Sequence, residues 1–415
     1  MSTAPSPRHS SRPSSPPARL AAADLSHLFA VLRARGLRIV GPTVRDGAIV
    51  LSDLQDAADL PRGIGDVQGP GHYRLQPLPP SQSGTYFGYN AGPQTYKQFL
   101  FPPRDPRLQI RRGPRGALQV DPQPVATPAI ALVGLRACDL AAITVQDRVF
   151  LGGASADPAH TPDARYALRR AQALLIAVEC TRAAPTCFCT SMDCGPAVAE
   201  GSPYDLLLTE VIDPPDALDA AARADHYFVC RAGSPVGQQI LDQLPHAPAT
   251  ADENARAQQG VARAAQQVRA IPQGGIRDAL YAAIDAEHPR WDDVAARCLS
   301  CGNCTLVCPT CFCAAVDDHA ALDGSVSVRT RRWDSCFGTD HSTVHGHPVR
   351  ASTRARYRQW LSHKLATWID QFGTSGCVGC GRCITACPAA IDITQECAAL
   401  RSPREVPAHE IARNP

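Results

Sequence analysis

Cys298, Cys301, Cys304 and Cys308 stand in the stretch CLSCGNCTLVCP, and Cys377, Cys380, Cys383 and Cys387 repeat the arrangement in CVGCGRCITACP. Both runs read C-x2-C-x2-C-x3-C-P and close on Pro309 and Pro388. This is the ligand spacing of bacterial ferredoxins. An iron–sulfur cube presents its irons at tetrahedral corners. A tight loop with thiols three residues apart reaches three corners while backbone N–H groups point at the sulfurs. The fourth thiol opens a helix and faces a second cube. The spacing therefore predicts two [4Fe–4S] clusters with crossed ligands: Cys298, Cys301 and Cys304 with Cys387, and Cys377, Cys380 and Cys383 with Cys308. Crossing places the cubes close together, which permits rapid electron transfer. Zinc is the rival, but zinc sites use paired C-x2-C units and four ligands in all.

A second group is Cys138, Cys180, Cys187, Cys189 and Cys194. The text PTCFC occurs at 185–189 and again at 309–313. Buried free cysteine is an ordinary core residue, yet five in one region point to a third iron–sulfur cluster. Its expected ligands are Cys138, Cys180, Cys187 and Cys189, with Cys194 as substitute and Asp139 or Asp193 as minority choices. Cys230 and Cys397 read as ordinary half-buried thiols. Cys311, Cys313 and Cys336 read equally as such thiols or as shields beside a cluster. The loop histidines His341, His345 and His347 more often hydrogen-bond or face solvent than bind metal.

Composition agrees with metal ligation. Eighteen cysteines in 415 residues are too many for accident, and long cytosolic chains do not use disulfide frameworks. The net charge of +2 and sparse aromatics give no basis for nucleic-acid binding. No apolar run reaches the length of a membrane span, and the first twenty residues lack the apolar core of a signal peptide. A cytoplasmic location is expected.

The elements that must position these thiols follow from the patterning. Residues 1–20, rich in Ser, Pro and Arg, read as a disordered tail. Residues 21–60 alternate helical and strand-like pieces, and residues 62–125 read as Gly- and Pro-rich turns. The aromatic stretch at 84–104 is either a docking surface or a core-covering loop. Apolar runs at 128–135, 173–178, 204–211 and 226–230 are expected strands, with a helix at 138–150 between the first two. Strand, helix, strand implies an α/β centre with a mixed, partly parallel sheet. Ligands of such sheets sit beyond the carboxyl ends of strands, and Cys138 and Cys180 follow two of those ends.

The expected organisation is a tail at 1–20, an α/β domain at 21–250, a helical linker at 251–297 and a dicluster ferredoxin-like domain at 298–395. A long insertion at 309–376 interrupts that domain, and a tail follows at 396–415. No G-x-G-x-x-G opens a helix after a strand, and no Walker A run or nucleophile elbow occurs. The chain is thus expected to bind neither flavin nor nicotinamide. Arg136, Arg331, Arg332, Arg350, Arg354 and Arg356 are read as tuning a cluster, meeting an acidic partner or forming ordinary salt bridges.

Several longer pieces carry a resemblance. They are YFGYNAGPQTYKQFLFPP ending at 103, GLRACDLAAITVQDRVF at 134–150, PTCFCTSMDCGP at 185–196, CGNCTLVCPTCFC at 301–313, RRWDSCF at 331–337 and CVGCGRCITACPAAIDIT at 377–394. Together they resemble the β subunit of sulfhydrogenases, the soluble NAD(P)-linked [NiFe] hydrogenases, over roughly residues 70–395. The A subunit of anaerobic sulfite reductase is similar to the same group. The resemblance implies a non-catalytic carrier between a flavin- and NAD(P)-binding subunit and the small and large subunits of a [NiFe] hydrogenase. Its alternative implies a sirohaem sulfite reductase subunit in the latter place. A zinc-stabilised scaffold without redox function, and an independent enzyme with a site in 128–230, are the contrasting readings. Position 194 departs from the family text by being Cys, which leaves the fourth ligand of the third cluster open.

Overall fold

The structure, a computed structural model, describes residues 16–125, 128–152, 161–213, 225–272 and 274–401. Eight strands build its central sheet: β1 (Ala18–Ala21), β2 (Arg38–Arg45), β3 (Ala48–Asp53), β4 (Ile130–Leu135), β5 (Ala173–Val178), β6 (Leu206–Asp213), β7 (Asp225–Ala232) and β8 (His246–Pro248). Their order is β8-β1-β7-β6-β5-β4-β2-β3. The pairs β2–β4, β4–β5 and β5–β6 are parallel, and the outer pairs are antiparallel. The sheet is mixed, as the sequence predicts.

The residue types explain the parallel centre. β4 and β5 read IALVGL and ALLIAV, with no polar alternation, and their residues are buried on both faces. Ala131, Val133, Leu174 and Ile176 face one apolar layer, and Leu132, Leu135, Leu175 and Ala177 face the other. The first layer is covered by α1 (Leu25–Ala34), whose Leu25, Leu28, Phe29 and Leu32 recur at three- and four-residue spacing. The second is covered by α2 (Ala137–Leu151) and α3 (Ala164–Gln172). The Asp163 carboxylate caps α3 by accepting from Arg165 N and Tyr166 N.

Several expected boundaries move. Residues 1–15 of the expected tail lie outside the described residues, whereas Ala18–Ala21 pairs with both β7 and β8. The stretch 62–125 holds two hairpins as well as turns, Ile64–Gly69 with His72–Pro77 and Arg104–Arg112 with Leu118–Pro122. The aromatic stretch is core: Phe87, Tyr89, Tyr96 and Phe101 are all buried. Strands Ala314–Ala320 and Val326–Trp333, from the insertion, extend the second hairpin into a four-stranded sheet. Charged residues on these strands hide their alternation in sequence. The buried Asp105 carboxylate fixes this joint, accepting from Arg165 at 2.7 Å, Arg169 at 2.8 Å and Arg331 at 3.2 Å.

The segment expected as a linker packs into both halves. α4 (Ala251–Ala264) sets Ala257 against Val211 and Val229 of the sheet. The helix ends at Ala264, and the chain then runs to Ile271, which is buried in the second core. There α5 (Ile276–Asp285) and α6 (Arg290–Arg297) meet α7 (Thr353–Ser362). α7 runs through a π-helical turn at His363–Thr367 into α8 (Trp368–Phe372). α9 (Ile393–Arg401) passes the expected end of the domain at 395, because Cys397 and Leu400 are buried and Glu396 binds Arg290 at 2.6 Å. Residues 402–415 of the expected tail lie outside the described residues. Among the described residues no helix is long and apolar enough to cross a membrane.

Candidate functional site

Cys298, Cys301, Cys304 and Cys387 line one cavity with an empty volume of about 470 Å³. Cys298 ends α6, and Gly302 turns the loop through a φ of +75° that favours glycine. Backbone N–H groups point at sulfur: Ser300 N donates to Cys298 Sγ at 3.4 Å and Ile391 N to Cys387 Sγ at 3.3 Å. Phe337, Tyr357, Trp360 and Ile393 form the apolar wall. Tyr357 Oη and Trp360 Nε1 are buried donors without a protein acceptor. Such groups need a partner, and the sulfides of a cube fit that role.

Cys377, Cys380 and Cys383 form the second group with Cys308, whose charge acts on all three. Burial, with the neighbouring sulfurs, pushes the Cys377 thiol up to about 12 although Lys364 opposes it. Burial drives Cys383 higher still. These thiols therefore take their negative charge only as metal displaces their protons. The Lys364 ammonium is buried beside them. It donates to Cys308 Sγ at 3.3 Å, Thr310 Oγ1 at 3.3 Å and Gly376 O at 3.1 Å. A buried cation needs negative charge close by, which a thiolate-bound cluster supplies.

Cys138, Cys180, Cys187 and Cys189 share a third cavity, of empty volume about 370 Å³, with Arg136, Gln267 and Cys380. Cys138 lies in the first turn of α2, just past β4, and Cys180 lies just past β5. The parallel sheet thus brings together two thiols forty-two positions apart (180 − 138). The CFC loop is pinned by the second run: Phe188 N donates to Gly379 O at 2.9 Å. A Cβ at Gly379 would lie 2.5 Å from Cys189 Cα, so only glycine allows the approach. Gln267 Nε2 donates to Cys189 Sγ at 3.2 Å. Buried Arg136 donates to Phe87 O at 3.0 Å and Tyr89 O at 2.8 Å, facing its charge into the cavity wall.

The substitute and minority ligands are not in that wall. Cys194 Sγ donates to Met192 O at 3.0 Å. Asp139 accepts from Arg136 N at 3.1 Å and from Arg382 Nη2 at 2.9 Å. Asp193 is the left-handed residue that closes a short turn after Cys189. Cys230 and Cys397 are core thiols. His341 pairs with Asp334 at 2.6 Å, and His345 and His347 are exposed. Arg331, Arg332 and Arg354 form ion pairs with Asp163, Asp317 and Glu287. Among the described residues no three His, Cys, Asp or Glu side chains close around a single ion.

The Asp139–Arg382 pair ties α2 to the second cysteine run, and both side chains are at most 4% exposed. Asp139→Ala leaves a buried guanidinium beside cluster thiols. The expected cost is about 3–5 kcal/mol, read as a lowered urea midpoint of the iron-loaded chain. Asp139→Asn, which keeps one acceptor, loses less.

Sequence patterning did not point to Lys364, Tyr357, Trp360, Trp368 or Gln267. Lys364 sits in WLSHKLATW, where one charge on a helix reads as solvated surface.

Residues 297–391 match the profile of a 4Fe-4S dicluster domain. Over 301 residues, 71% of this chain, the sequence is 30% identical to sulfhydrogenase 2 subunit beta of Pyrococcus furiosus, covering 79% of that protein. No solved structure matches the chain.

Proposed function

The chain belongs to the sulfhydrogenase β-subunit family, and from that premise we propose that it relays electrons between a flavin subunit and a [NiFe] hydrogenase. The flavin subunit exchanges electrons with NAD(P)H, and the hydrogenase small subunit receives or returns them. In this reading Cys298, Cys301, Cys304 and Cys387 hold one [4Fe–4S] cluster, and Cys377, Cys380, Cys383 and Cys308 hold another. Cys138, Cys180, Cys187 and Cys189 hold a third. The clusters supply one-electron chemistry. The chain supplies their spacing, N–H donors to sulfur and an apolar shell, which set their potentials.

The observation that carries the reading is that the thiol cavities share walls. Cys380 belongs to the second run and lines the third cavity, while Cys383 of the same run lines the first. A row of three cubes follows, with the dicluster pair at one end. Cys301 and Leu299 are exposed beside the first cavity, which supports an electron port there. The cytoplasm is the proposed compartment.

The test is the composition of the complex that co-purifies with the chain under exclusion of oxygen. Flavin, nickel and iron are expected. A sirohaem subunit in place of the nickel protein assigns the chain to sulfite reduction, and zinc without acid-labile sulfide ends the redox account. For the third cluster, Cys180→Ala is expected to remove about four irons and leave both ferredoxin-type EPR signals. Unchanged iron content sinks that ligand set.

A further inference from the structure

We propose that Cys311, Cys313 and Cys336 hold a further [4Fe–4S] cluster, with His363 as its fourth ligand. The proposal rests on the reading of the chain as an iron–sulfur carrier, but its cluster is counted separately from those above.

These three thiols, 25 residues apart at their widest (336 − 311), line a fourth cavity of empty volume about 280 Å³ together with His363, Lys364 and Trp368. They come from two places: the CFC that follows the first cysteine run, and the loop after strand Val326–Trp333. The local text PTCFC is the same as at 185–189, and in both copies the two thiols of CFC face a thiol-walled cavity. In each copy a thiol from a distant segment completes the wall, Cys138 in one and Cys336 in the other.

Two further observations point to a ligand that brings acceptors and negative charge. Trp368 lines this cavity, is 1% exposed, and has an indole N–H with no acceptor. An unsatisfied buried donor costs free energy, and inorganic sulfide supplies the missing acceptor. The Lys364 ammonium lies 3.6 Å from Cys311 Sγ and sits on the wall shared with the second cluster. One cation thereby faces two sets of thiolates.

His363 is placed to ligate. It begins the π-helical turn, an irregularity that recurs where a helix must present a functional side chain. Its ring stands 5.0 Å from Trp368 and 6.1 Å from Phe312, so its plane is fixed. Nε2 is engaged by Gln371 Oε1 at 3.3 Å. That contact orients the ring as outer partners of metal-bound histidines do and leaves Nδ1 for iron. Cys308 remains with the second cluster, so the new cube would adjoin it and branch the electron path toward the inserted sheet.

The test counts inorganic iron and sulfide on the full chain, purified anaerobically in its complex and weighed by native mass spectrometry. The parent is expected to carry one Fe4S4 unit beyond the dicluster pair and the Cys180-dependent unit. Cys313→Ser with Cys336→Ser is expected to remove that one unit and leave the rest. Cys180→Ala removes a different one. An unchanged count in the double variant, or zinc replacing iron there, overturns the proposal without touching the Cys180 assignment. Because the double variant disturbs a packed loop, His363→Ala gives a second reading. It is expected to convert this cluster alone to a three-iron form with its own EPR signal, and His363→Cys to restore four irons. Absence of a three-iron signal in His363→Ala overturns the ligation by His363.

Discussion

Cys387→Ser is expected to strip the cluster of the first cysteine run, not that of the run in which it lies. Cys387 shares its cavity with Cys298, Cys301 and Cys304, and Ile391 N bonds to its sulfur there. Serine offers a hard hydroxyl that keeps its proton at neutral pH in place of a soft thiolate, and one corner of the cube is lost. The expected loss is about four irons per chain, with the magnetic coupling between the two neighbouring clusters abolished. Electron passage to acceptors at the exposed Cys301 face is expected to stop, since the cube beside that face is missing. Cys308→Ser produces the reciprocal result. EPR during reductive titration separates the two outcomes, because the remaining cluster in Cys387→Ser is the one that feels Lys364.

Lys364→Met is expected to lower the reduction potential of the second cluster by on the order of 100 mV. Lys364 is 4% exposed, and its ammonium touches Cys308 Sγ at 3.3 Å. Burial opposes its charge, but the Cys308 and Cys311 sulfurs hold it protonated. Adding an electron to the cluster adds negative charge next to that ammonium, so the cation favours the reduced state. Removing it shifts the couple downward, and the shift is large because little water reaches the site to screen it. Lys364→Arg keeps the charge and is expected to move the potential far less. Spectroelectrochemical titration of the two variants reads both. Equal shifts in Met and Arg variants assign the effect to packing rather than charge.

Much of this arrangement was legible because its constraints are local. The C-x2-C-x2-C-x3-C-P runs fix three ligands each through the reach of one loop, but the helix expected to open at each fourth thiol is absent: the short helices Asn303–Leu306 and Arg382–Thr385 precede Cys308 and Cys387. The parallel centre was legible because β4 and β5 are continuously apolar. The rest depends on contacts between distant segments. Ala314–Ala320 and Val326–Trp333 carry too much charge to read as strands, since Asp105 and its arginines satisfy part of that charge in the fold. Lys364 could not be read at all: its burial follows from the opposing thiols, which lie fifty-six and fifty-three positions away (364 − 308 and 364 − 311).

Cys301 is exposed, and Cys336 sits near Cys304 and Cys313 in the inserted loop. The attachment of the insertion through the four-stranded sheet makes the two halves of the chain one scaffold for the clusters.

Anomalous diffraction at the iron edge, from crystals of the chain loaded without oxygen, locates each iron against its thiol. Two four-iron peaks are expected in the dicluster segment, one bonded by Cys298, Cys301, Cys304 and Cys387, the other by Cys377, Cys380, Cys383 and Cys308. Peaks in which either run closes a cube with its own fourth cysteine, or in which Cys308 and Cys387 turn to solvent, contradict the shared pair of cubes on which the electron path is built.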